Sequence, residues 1–104
     1  MEKYAWSAKI KPGMKAEYVR RHDEIWPEMV KVLKDAKISN YTIWIDGDTL
    51  FGYYECESVE FAAKTQAESP IVDKWNEYMK DVMEMKKDPA TGTHPKLELA
   101  FTLD

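Results

Sequence analysis

The residues best suited to chemistry lie in EYVRRHDEIWPEM, positions 17–29. Tyr18 and His22 are four apart, which makes them neighbours on one face of a helix. Trp26 follows at the same spacing, with Pro27 directly after it. A tyrosine, an imidazole and an indole in a row can line a pocket. Imidazole titrates near neutral pH, so it can give or take a proton there. Periodicity alone leaves a second reading open, in which His22 sits at the edge of the core bonded to a backbone carbonyl. Arg20 and Arg21 point elsewhere on the same helix.

The rest of the chain offers fewer reactive groups. His94, the second of two histidines, falls in the polar run KKDPATGTHP at 86–95 and reads as solvent-exposed. Cys56 is the sole cysteine and reads as a buried thiol. It excludes an intrachain disulfide and fits a reducing compartment. The four glycines build no phosphate-cradling loop, dinucleotide fingerprint or nucleophile elbow. No metal site is apparent.

These residues need a scaffold, and 104 residues fit one domain, read here as 1–104. KYAWSAKIK alternates with Tyr4, Trp6, Ala8 and Ile10 on one side, the period of a strand. KPG at 11–13 punctuates the chain. A helical stripe then runs through Tyr18, His22, Ile25, Trp26, Met29, Val32, Leu33 and Ala36. Pro27 predicts a kink, or two helices meeting at Trp26-Pro27. NYTIWID (40–46) and TLFGYYECE (49–57) read as strands joined at Asp46-Gly47-Asp48, a hairpin signal. A helix opens near Ser58 and another near Pro70, the second with Ile71, Val72, Trp75, Tyr78, Met79, Val82 and Met83 on its stripe. LELAFTL (97–103) alternates again and predicts a last strand.

The order βαββαβ is the ferredoxin-like pattern, an α+β fold with a four-stranded antiparallel sheet and helices on one face. Aromatics occupy both alternation classes of the strands: Tyr4 and Trp6, Tyr41 against Trp44, Phe51 and Tyr53 against Tyr54. One helical layer leaves the second face uncovered, and two such sheets packed face to face would bury it. The net charge of −4 argues against a nucleic-acid partner. No run approaches the ~20 apolar residues of a membrane span. The N-terminus has no apolar run of signal-peptide length, so a cytoplasmic protein is expected.

EYVRRHDEIWPEM, NYTIWID, LFGYYE and WNEYMKDVM together resemble the L-rhamnose mutarotase family, along nearly the whole chain. The block YxRRHxxIWPE is its most specific part. The resemblance implies a dimeric α/β barrel of ferredoxin-like subunits. It also implies interconversion of the α and β anomers of L-rhamnose without metal or organic cofactor. It places the proton donor on His22 and sugar contacts on Tyr18 and Tyr41. A pair of tryptophans in the last helix binds sugar in the best-known members; here the pair reads Trp75-Asn76. That departure touches the choice of sugar, leaving the fold as it stands. Two other classes would use similar residues: another dimeric α+β barrel enzyme such as a small monooxygenase, and a non-catalytic sugar-binding module.

Overall fold

The structure, a computed structural model, describes residues 1–84 and 94–103. Strand β1 (Glu2–Lys9) buries Tyr4 and Trp6 on one face, as its alternation requires. Helix α1 (Lys15–Asp23) and helix α2 (Pro27–Asp35) are separate. Trp26 is extended at φ −64°, ψ 136° and caps α2, with Pro27 in its first turn. The break sits where proline disfavours helical geometry in the residue before it. Strands β2 (Ile38–Asp46) and β3 (Thr49–Cys56) form a hairpin in which Asp46 pairs with Thr49. Its two-residue loop places Gly47 at φ +62°, a conformation glycine adopts without strain. Helix α3 (Val59–Ala67) is capped by Ser58, whose hydroxyl accepts from the Phe61 N–H at 3.1 Å. Helix α4 (Pro70–Met79) starts with proline in its first turn.

The sheet is antiparallel with order β1-β3-β2, and helices pack on one face. The core between them includes Tyr4, Trp6, Tyr18, Met29, Leu50, Tyr54, Trp75 and Met79. The fold is therefore α+β with an antiparallel sheet, but among the described residues the sheet has three strands where four were expected. The strand expected over 97–103 does not form. Two short segments share the outer edge of β1. At one end, Ile10 bridges Met83 and the Glu84 N–H reaches the Lys9 carbonyl at 2.9 Å. At the other, Lys96 bridges Trp6 and the Leu97 N–H bonds the Ala5 carbonyl at 2.7 Å. Beyond that bond Leu99, Phe101 and Leu103 stay exposed, so the alternation of this segment buries against no surface among the described residues. The polar loop expected at 86–95 lies, up to residue 93, outside the described residues.

A bulge in β2 sets which side chains face the helices. Ser39 pairs with Glu55 and Thr42 with Tyr53, so β2 spends one residue more than β3 over this interval. The extra residue reverses the alternation. Ile38 is buried before the bulge; after it Tyr41, Ile43 and Ile45 take the inner side and Trp44 the outer. Asn40 absorbs the irregularity at φ +50°, a region asparagine tolerates better than most residues.

Candidate active site

A cavity of about 490 Å³ lies between the inner face of the sheet and helices α1, α2 and α4. That volume is in the usual range for small-molecule sites, roughly 300–1,000 Å³. Tyr18, His22, Tyr41, Trp75 and Asn76 all line it. The five residues singled out in the sequence come from three elements, and the fold brings them to one place.

His22 satisfies both readings of its position. Its Nδ1 lies 3.1 Å from the Tyr18 carbonyl one turn back, so Nδ1–H donates to the helix backbone. In the neutral ring that bond leaves Nε2 as the acceptor nitrogen. The ring also lines the cavity, packed against Tyr18 at 4.3 Å between centroids and edge-on to Trp75 at 5.5 Å. Burial pushes the His22 pKa below its ordinary 6.5, opposed by the bond to Tyr18 and the charge of Asp23. The neutral ring is thus the resting form near pH 7, ready to accept a proton at Nε2. Tyr18 and Tyr41 are pushed the other way, burial raising both phenols well above their ordinary value. They are O–H groups for hydrogen bonding and carry no charge at neutral pH.

Aromatic rings form two walls. On the helical side Trp75 lines the cavity and is backed by Trp26, edge-on at 5.1 Å, and by Tyr78, which packs against both; Trp26, expected in the pocket from its spacing, stands behind the lining. Arg21 fixes this wall from behind. Its guanidinium stacks over the Tyr78 ring at 4.3 Å. It donates to the Tyr78 carbonyl at 2.6 Å, to Asp81 at 2.8 and 3.2 Å and to Glu17 at 2.6 Å. On the sheet side Trp6 donates from Nε1 to the Tyr41 hydroxyl at 3.2 Å. Its indole lies across Gly52 of the neighbouring strand, where a Cβ would come 2.0 Å from Trp6 Cε2.

His94 is not the solvent-exposed residue expected from its polar surroundings. Its ring stacks on Trp6, with 4.5 Å between centroids and 17° between planes, and lines the same cavity as His22. The Tyr4 hydroxyl donates to its backbone carbonyl. Sequence reasoning also passed over Trp6, Arg21 and Gly52 as parts of the site. Alternation put Trp6 on the inner face, and the pairing of Trp6 with Gly52 becomes visible once the strands are in register. Nothing in the sequence signals His94 as part of the site. Among the described residues, no three His, Cys, Asp or Glu side chains gather as a metal-ion site. No helix among them is long and apolar enough to cross a membrane.

A three-stranded antiparallel sheet with helices on one face, enclosing an aromatic cavity with imidazoles in its wall, defines a small-molecule site equipped for proton transfer. The family model for L-rhamnose mutarotase matches residues 3–103. An L-rhamnose mutarotase from Mesorhizobium japonicum is 45% identical over 84% of this chain and 84% of its own. One from Phocaeicola vulgatus is 38% identical over the whole of both. The crystal structure of an L-rhamnose mutarotase from Formosa agariphila superposes with a TM-score of 0.83 at 33% identity, covering all of both chains. The chain belongs to the L-rhamnose mutarotase family.

Proposed function

We propose that this protein is a cytoplasmic, homodimeric isomerase that interconverts the α and β anomers of L-rhamnose, or a closely related pyranose, through ring opening and closure catalysed by His22. The observation that carries the reading is a neutral-poised imidazole, held at Nδ1 by the Tyr18 carbonyl, in the wall of an aromatic cavity of monosaccharide-binding size.

Anomer exchange breaks the C1–O5 bond, turns the aldehyde about C1–C2 and recloses on the other face. Opening removes a proton from the anomeric hydroxyl and delivers one to the ring oxygen. Neutral His22 takes the first at Nε2 and, as imidazolium, gives it back when the ring closes, while a second group supplies the proton to the ring oxygen and retrieves it on closure. General acid–base help of this kind is worth roughly 10²- to 10⁴-fold. Tyr18 and Tyr41 bond sugar hydroxyls, and Trp75 packs on the apolar patch of the pyranose. Asn76 offers an amide to a hydroxyl, which bears on the choice of sugar. No metal or organic cofactor enters this chemistry.

Support for the dimer comes from the sheet face opposite the helices. Trp44 and Phe51 are 68% and 42% exposed there on paired positions, and Leu99, Phe101 and Leu103 of the last segment are exposed as well. Apolar surface on this scale marks an interaction site.

The test is exchange spectroscopy between the two anomeric protons of L-rhamnose, with light scattering on the same sample. Faster exchange from a dimer is expected. A folded protein that leaves the exchange of L-rhamnose and related pyranoses at the spontaneous rate would overturn the reading.

A further inference from the structure

We propose that His94 is the second proton-transfer group of this cavity, serving the ring oxygen while His22 serves the anomeric hydroxyl. The proposal rests on the mutarotase reading and supplies what a single imidazole leaves open. Ring opening needs two proton movements at two different oxygens. His22 is equipped for one of them: with Nδ1–H committed to the Tyr18 carbonyl, the neutral ring presents a single acceptor nitrogen.

His94 comes from the opposite wall. It lies on the sheet side, stacked face to face on Trp6, whereas His22 projects from α1. Three features build its position. Gly52 lacks the Cβ that would drive the Trp6 indole off the sheet. Trp6 is pinned by its bond to the Tyr41 hydroxyl, itself a lining residue. The Tyr4 hydroxyl holds the His94 backbone carbonyl. The other titratable groups lining the cavity are Tyr18, His22 and Asp23 of α1 and Tyr41 of β2.

The step balances without a co-reactant. His22 Nε2 takes the O1 proton and the O1–H electron pair becomes the second bond of the aldehyde. The C1–O5 pair moves onto O5, which receives a proton from the His94 imidazolium. Reclosure runs both transfers backwards and restores both rings.

Two variants separate ring shape from proton transfer. His94→Phe keeps an aromatic face on Trp6 and has no nitrogen; His94→Gln keeps polar atoms that do not titrate. Both should bind L-rhamnose within about threefold of wild type and lose roughly 10²-fold in kcat, the low end for a missing general acid or base. On the unaltered protein, L-rhamnose titration should shift the His94 imidazole resonances as well as those of His22. A variant with wild-type kcat, or His94 resonances that ignore saturating sugar, would overturn the proposal. Because the resonances are read on the wild-type chain, a variant that fails to fold still leaves a decisive measurement. Failure of the mutarotase reading is distinct, since wild-type protein would then not speed anomer exchange at all.

Discussion

Replacing Gly52 with alanine should unfold the sheet side of the cavity more readily than any comparable one-carbon change. The added Cβ would stand 2.0 Å from Cε2, 2.2 Å from Nε1 and 2.4 Å from Cζ2 of Trp6. Those atoms belong to a rigid indole that is 3% exposed, so they cannot step aside as the tip of a flexible chain would. Overpacking a core costs about 1–3 kcal/mol, and contacts this short belong at the top of that range. Displacing the indole also breaks its bond to Tyr41, worth about 1 kcal/mol. The better strand propensity of alanine returns about 0.5–1 kcal/mol. The net loss is about 3 kcal/mol, which for a domain of this size lowers Tm by roughly 12–24 °C. Thermal unfolding followed by circular dichroism reads the shift. Anomer exchange in the folded fraction should fall too, because Trp6 positions Tyr41 and His94. Trp6→Phe in the Gly52→Ala background should recover part of the stability, since contacting residues couple. A Gly52→Ala protein as stable as wild type would refute the assignment of this glycine to the indole.

Four further outcomes are expected. Arg21→Lys should lower Tm by several degrees, because an ammonium cannot hold the Asp81 carboxylate bidentately while stacking on Tyr78 and bonding its carbonyl; an unchanged Tm would place the aromatic wall beyond its influence. Acid should act in two windows. His22 has a lowered pKa in the fold, so the unfolded chain takes its proton first and stability declines as pH falls below 6.5. Hydrogen bonds from Arg20, then Arg21, hold Glu17 at about 2, so its contribution is present above 4.5 and is lost between there and 2. The acid limb of kcat/KM should have its midpoint below 6.5, since the working base is neutral His22; a midpoint above that value contradicts the assignment. Asn76→Trp should change the ranking of L-rhamnose, L-mannose and L-fucose as substrates, measured by exchange rates, and an unaltered ranking would remove Asn76 from sugar selection.

Much of this architecture is legible because local physics and the fold agree. Period two placed Tyr4 and Trp6 inward, proline placed the break at Trp26, and helical spacing placed His22 beside Tyr18. The last strand failed for a reason outside local pattern. LELAFTL alternates as a strand does, but a strand also needs a partner edge and a face to bury, and β1 lends this segment a single hydrogen bond from Leu97. Helical spacing brought out Tyr18, His22 and Trp75 of the site, while Tyr41 and Asn76 entered through the resemblance to the L-rhamnose mutarotase family. Tyr41 shares the alternation class of Ile43 and Ile45; what no alternation rule foresees is the bulge that lets Ile38 face inward as well. His94 sits in a polar run whose composition says surface; only the stacking on Trp6 brings it inside.

The claim that His22 moves the proton is tested most directly by two-dimensional exchange spectroscopy on the anomeric protons of L-rhamnose with His22→Ala. Circular dichroism and sugar titration on the same sample establish folding and binding. The variant should fold, bind L-rhamnose and lose roughly 10²-fold or more in exchange rate, as for a missing general acid or base. A folded, sugar-binding His22→Ala protein that exchanges anomers at the wild-type rate would contradict the account and leave His22 as a core-edge histidine bonded to the Tyr18 carbonyl.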